Sequence, residues 1–138
     1  MFKSECLAKR QQSILIADDE PNILILMEQV LEELEEEGVK LLLINNGTEA
    51  LATLEEERPA LVFLDVMMPE LSGFEVCRLV KENPDLQSTY IVLLTAKGQA
   101  FDQEQGMAVG ADCYMTKPFR PKEVLAKARR VLQRQSSL

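Results

Sequence analysis

The sequence predicts an α/β domain: a parallel sheet of five strands with helices on both faces, in three layers. Three observations predict it. Five short apolar runs alternate with helix-like segments along the chain, the pattern of successive β–α units joined by right-handed crossovers. The first four runs are near-continuous rather than alternating, as strands covered on both faces are. A length of 138 residues, 46 % hydrophobic and 28 % charged, suits one soluble domain with a single core.

The first strand is "SILIA" (13–17). Pro21 then stands at a plausible first helical position, and Ile23, Met27, Val30, Leu31 and Leu34 recur at core spacing before Gly38, the expected terminator. The acidic run "EELEEE" (32–37) reads as a solvated helix face, because Leu34 interrupts it at core spacing. "KLLLI" (40–44) is the second strand and "ALVFLD" (60–65) the third. Asn46 with Glu49, and Ser72 with Glu75, have capping-box spacing and open the second and third helices. The fourth strand is "TYIVLLT" (89–95), followed by a helix over about 99–108 that ends near Gly110. "CYM" (113–115) is the fifth strand. The last helix starts at Pro121 and turns Val124, Leu125, Ala128, Val131 and Leu132 inward. Its basic face, Lys122, Lys127, Arg129, Arg130 and Arg134, is expected to be solvated. The domain is expected to run from 12 to 134, with 1–11 as an extension and 135–138 as a tail that frays.

Composition removes several classes of function. The chain holds no histidine, which excludes His-based zinc sites and Ser/His or Cys/His dyads within it. No Gly-x-Gly-x-x-Gly or Walker-type loop occurs, so nucleotide binding through a glycine-rich turn is disfavoured. A net charge of −8 argues against direct nucleic-acid binding. Cys6, Cys77 and Cys113 are widely spaced and read as reduced filler of a cytoplasmic protein. No run reaches the length of a signal peptide's core or a membrane span.

In an open parallel sheet, functional groups gather beyond the carboxyl ends of the strands. Strand one ends in Asp18 and Asp19, strand three in Asp65, strand four in Thr95, and Lys117 follows strand five. Any one of these alone would be a cap, a strand end or a surface lysine. Together at one edge they are a site. Three carboxylates in a small cleft repel one another and need a cation or raised proton affinity. Mg²⁺ suits such a set of oxygen donors. A metal, an ammonium and a hydroxyl around an aspartate are also the equipment for phosphoryl transfer onto that aspartate.

With "ILIADDEPNI", "NGTEAL", "LVFLDVMMPELSGFEV", "IVLLTAK" and "GADCYMTKPFRPKEV" in this order, the chain resembles the receiver domain of two-component response regulators over about residues 12–134. The resemblance implies a flavodoxin-like, doubly wound sheet of order 2-1-3-4-5 with five helices. It implies that Asp65 is the phosphoacceptor and that Asp18, Asp19, Asp65 and the Met67 carbonyl hold Mg²⁺. Thr95, Lys117 and the backbone N–H groups of Met67 and Ala96 would grip the phosphoryl group. The Lys117–Pro118 bond would be cis. Thr95 and Tyr114 would form the switch, with Tyr114 turning inward on phosphorylation. The surface of the helix near 99–108, the fifth strand and the last helix would then change for a partner. The implied partners are a histidine kinase or histidine phosphotransfer protein, a downstream target or output domain, and a second copy in a homodimer.

Three positions depart from the common family pattern. Cys113 stands where many relatives carry a second acid after Asp112, Met67 is large and apolar two residues past the acceptor, and Arg120 replaces a small polar helix cap. The preferred reading is a signalling phosphoacceptor that takes part in its own phosphotransfer and dephosphorylation, not an enzyme acting on an external substrate. An aspartyl-phosphate phosphohydrolase would commonly want Asp-x-Asp, and position 67 is Met. A flavodoxin-like cofactor carrier lacks a phosphate-cradling loop. A receiver-shaped module that is never phosphorylated would not need every acid, hydroxyl and lysine in place.

Overall fold

The computed structural model describes residues 11–96 and 108–136. Its elements are β1 (Ser13–Ala17), α1 (Pro21–Val30), α2 (Glu32–Glu36), β2 (Lys40–Ile44), α3 (Gly47–Glu57), β3 (Leu61–Asp65), α4 (Gly73–Glu82), β4 (Tyr90–Ala96), β5 (Cys113–Lys117) and α5 (Pro121–Ser136). The five strands form one sheet in the order β2-β1-β3-β4-β5, and every neighbouring pair is parallel. The sheet and its order are those the resemblance implies. The helix expected over about 99–108 lies outside the described residues, but for Ala108.

Near-continuous apolar strands make sense because alternate side chains enter two different cores. Ile14, Ile16, Leu61, Phe63, Val92 and Leu94 pack on one face with Met27, Leu31 and Leu34, and with Val124, Ala128, Val131 and Leu132 of α5. Leu15, Ala17, Val62, Leu64, Ile91 and Leu93 pack on the other with Ala50 and Leu54 of α3 and Val76, Cys77 and Val80 of α4. Both faces of β1 and β3 are buried along their whole length. These two central strands deliver Asp18 and Asp65 to the same end of the sheet. Among the described residues no helix is long and apolar enough to cross a membrane.

Three local features differ from expectation. The first helix is broken at Leu31, with φ −97° and ψ 6°. Glutamates at 32, 33, 35, 36 and 37 crowd the end of a helix whose carbonyl dipoles disfavour negative charge. Nor is the acidic run merely solvated. Arg129 of α5 donates to Glu37 at 2.9 and 3.0 Å and also pairs with Glu33, and this guanidinium holds the Glu37 carboxyl below the usual carboxylate range. Gly38 does end α2, at φ +104°. The two caps also differ. Ser72 Oγ accepts from Glu75 N at 3.2 Å while Glu75 Oε1 accepts from Ser72 N at 3.0 Å, a full capping box. Asn46 Oδ1 accepts from Glu49 N at 2.8 Å, but Glu49 answers the Asn46 amide side chain rather than its backbone. Replacing Ser72 with alanine is therefore expected to cost about 1 kcal/mol, measured as a lower urea midpoint at unchanged m-value.

Other basic residues of α5 are also engaged. The Lys127 ammonium lies 5.7 Å from the centre of the Tyr90 ring. At the opposite end of the sheet from the acids, Asp112 Oδ2 accepts from Ile91 N at 2.9 Å and meets Lys81 at 2.8 Å. Lys81 also donates to the Thr89 and Gln87 carbonyls at 2.8 and 3.0 Å, so the start of β5 is tied to the end of α4. Cys77 is filler as expected: it is fully buried, and burial pushes its thiol up to about 12. Cys113 is half-buried against the α1/α5 core.

Candidate functional site

Parallel pairing sets the edge. Ala17 pairs with Leu64, Asp65 with Leu94 and Ala96 with Lys117, so the chain leaves β1, β3, β4 and β5 at nearly one level. Asp18 continues the β1 ladder by donating its N–H to the Ile44 carbonyl at 3.0 Å. That places the side chain inside the fold, at 0 % exposure. Asp65 is buried at the end of β3, Thr95 is buried near the end of β4, and Asp19 is exposed at the rim.

Asp18, Asp19 and Asp65 each offer a carboxylate oxygen, and these oxygens lie within 4.8 Å of one another. Lys117 Nζ reaches into the same space, 2.8 Å from Asp18 Oδ2 and 3.4 Å from Asp65 Oδ1. The Lys117–Pro118 peptide is cis. Asp19, Asp65, Met67, Ala96, Lys117 and Pro118 line a cleft of about 560 Å³. Thus the acids, the lysine and the backbone at 67 and 96 meet in one place, with Thr95 adjoining at the strand edge.

The electrostatics follow from crowding. Burial and then the neighbouring Asp18 charge raise the Asp65 carboxyl to about 7, against an opposing pull from Lys117 and the Met67 N–H. That N–H donates to Asp65 Oδ1 at 3.3 Å. Burial alone would favour the neutral amine at Lys117, but Asp18, Asp65 and Glu20 outweigh it and keep the ammonium charged. Asp18 Oδ1 accepts from the Glu20 N–H at 2.9 Å. Its buried Oδ2 pairs with the Lys117 ammonium at 2.8 Å. Three carboxylate oxygens gathered within 4.8 Å, two of them on buried residues, fit a hard divalent cation such as Mg²⁺.

Two kinds of residue at this site were not among those expected. Glu20 Oε1 accepts from Lys117 Nζ at 3.1 Å. The "DDE" triplet was a signal for a third acid there, but its partner is 97 residues away. Gly47 and Gly73 fix the loop after Asp65. A Cβ on Gly73 would stand 2.2 Å from the Asp65 carbonyl oxygen, and one on Gly47 would stand 1.8 Å from the Leu71 carbonyl oxygen. Gly73 N–H also donates to the Val66 carbonyl at 2.9 Å. The Met67 side chain is 73 % exposed, outside the acid cluster. Tyr114 lies apart from the acids, on the α3/α4 side. Its hydroxyl is already buried, without a hydrogen-bond partner among the described residues.

Known proteins are similar to this chain in sequence and fold. The sequence family described as the response regulator receiver domain matches residues 14–129. The alkaline phosphatase synthesis transcriptional regulatory protein PhoP of Bacillus subtilis is 42 % identical over 123 residues, covering 89 % of this chain and 49 % of that protein. The DNA-binding response regulator MtrA of Mycolicibacterium smegmatis is 40 % identical over 124 residues, covering 90 % and 52 %. The chain therefore spans about half the length of these curated relatives. Among solved structures, the chemotaxis response regulator CheY4 of Vibrio cholerae superimposes with a TM-score of 0.77 at 30 % identity, covering 88 % of this chain and 99 % of that one.

Proposed function

The chain belongs to the response regulator receiver domain family, and from that premise we propose that Asp65 accepts a phosphoryl group from a phosphohistidine on a partner protein. One observation carries the reading: three carboxylates converge within 4.8 Å while a lysine ammonium stands against two of them. A carboxylate oxygen of Asp65 forms the new O–P bond, the P–N bond to the donor imidazole breaks, and the imidazole keeps the electron pair and takes a proton. The donor histidine lies outside this sequence, which has none.

Asp18, Asp19, Asp65 and the Met67 carbonyl would hold Mg²⁺, which when bound neutralises charge on the phosphoryl oxygens. Lys117 places its ammonium on a second oxygen, the Thr95 hydroxyl donates to a third, and the N–H groups of Met67 and Ala96 complete the cradle. Lys117 has little distance to travel, being 3.4 Å from Asp65 already. Phosphoryl contacts made better in one conformation shift the population toward it. Thr95 and Tyr114 are the side chains proposed to report that shift to a partner surface that includes β5 and α5. The partners are a histidine kinase or phosphotransfer protein and a target or output domain, in the cytoplasm. The role is signalling, with the chain supplying groups for its own phosphorylation and dephosphorylation.

Incubation with Mg²⁺ and acetyl phosphate is expected to add one phosphoryl group by mass, labile to hydroxylamine, and EDTA is expected to prevent it. A hydroxylamine-resistant adduct, or labelling indifferent to EDTA, would contradict the assignment.

A further inference from the structure

An ammonium has three N–H donors, and three carboxylates stand around that of Lys117: Asp18 at 2.8 Å, Glu20 at 3.1 Å and Asp65 at 3.4 Å. An incoming phosphoryl oxygen has to displace one of them. Asp18 is fixed by the fold, with no exposed side-chain surface and its other oxygen held by the Glu20 N–H. Asp65 is the group that the phosphoryl oxygen accompanies. Glu20 differs from both, because its side chain is 62 % exposed and its contact with Lys117 is the cheapest of the three to break.

Resting on the proposed phosphoacceptor role of Asp65, we infer that Glu20 is a positioning residue that holds the Lys117 ammonium at the cleft rim in the unphosphorylated chain and yields it to the phosphoryl group. Two consequences follow. Each phosphorylation event includes the breaking of an exposed ion pair. The released carboxylate also remains on the wall of the cleft, where it repels small anionic phosphodonors across less than a Debye length. Glu20 thereby disfavours labelling by free acyl phosphates, and a protein donor that covers the rim with a cation or hydrogen-bond donor would relieve the penalty.

Glu20→Gln keeps the shape and removes the charge. In the acetyl phosphate assay at low salt it is expected to label roughly two- to fivefold faster than wild type, the range of one exposed ion pair. In a Lys117→Ala background only the part due to repulsion of the anionic donor is expected to remain, and added salt is expected to remove it. Mg²⁺ affinity, followed directly by titration, is expected to change less than about twofold. An unchanged labelling rate, a gain undiminished without Lys117, or Mg²⁺ affinity weakened by about tenfold, as for loss of a group supporting the metal, would each overturn the inference. A wild type that fails to label would instead refute the role of Asp65. In that event the ¹H–¹⁵N resonance of the Lys117 ammonium decides on Glu20: it is expected to shift and broaden in Glu20→Gln, and an unaltered resonance would refute the contact.

Discussion

Asp65→Asn is expected to abolish labelling by acetyl phosphate and, at the same time, to stabilise the metal-free protein. The first effect follows from chemistry, since an amide oxygen at 65 is a poor nucleophile at the end of β3. Labelling is expected to fall to background, and a hydroxylamine-labile adduct at wild-type level in the variant would move the acceptor elsewhere. The second effect follows from burial. In the folded chain the Asp65 proton is held to about 7, against 3.8 for an ordinary aspartate. The folded state therefore binds more protons than the unfolded state between those values. This group's contribution is fully present below about 3.8 and is lost as the pH rises through about 7. A neutral asparagine escapes that loss. In urea melts with EDTA, the advantage of the variant should be small at pH 4 and grow to the order of 1–3 kcal/mol by pH 8. Adding Mg²⁺ should raise wild-type stability more than that of the variant. A wild type and variant that respond alike to pH would mean that Asp65 is an ordinary exposed carboxylate.

β1 has the boundaries that its apolar run suggests, because burial of a continuous run decides a strand by itself; the edge strand β2 has them too, although its residues are only half-buried or exposed. β5 extends two residues past its apolar stretch: Thr116 and Lys117 pair with Thr95 and Ala96, and backbone pairing does not require apolar side chains. The acids and the lysine were legible because each follows a strand, and parallel pairing carries strand ends to one edge. Glu20 and Arg129 were not, since their partners lie 97 and 92 residues away or more, and no periodicity encodes a contact between two elements at that separation. The break at Leu31 was hidden for a different reason: apolar spacing continues across it while the charge pattern does not. Gly73 follows the Ser72 cap in the sequence without a signal of its own. Its contact is with backbone, which sequence spacing cannot display.

That contact gives Gly73→Ala a large expected cost in stability at the acceptor itself. The new Cβ would lie 2.2 Å from the Asp65 carbonyl oxygen and 2.9 Å from Val66 Cα, so backbone rather than a flexible side chain has to move. The loop has little freedom to comply. It is held by the Gly73–Val66 hydrogen bond, by the Ser72–Glu75 capping box, and by Leu71 packed over Gly47. Forcing atoms into such a place costs about 3 kcal/mol or more. Alanine's better helix propensity at the start of α4 returns less than about 1 kcal/mol. Gly38→Ala is the informative comparison: its Cβ meets nothing within 4 Å, and only the φ of +104° opposes it, a cost of about 1–2 kcal/mol. Urea midpoints should therefore rank wild type above Gly38→Ala above Gly73→Ala. Only Gly73→Ala should also weaken Mg²⁺ binding, because the strain falls on the peptide that carries Asp65. If Gly73→Ala kept wild-type stability and metal affinity, the close packing of α4 against the end of β3 would not be what positions the acceptor.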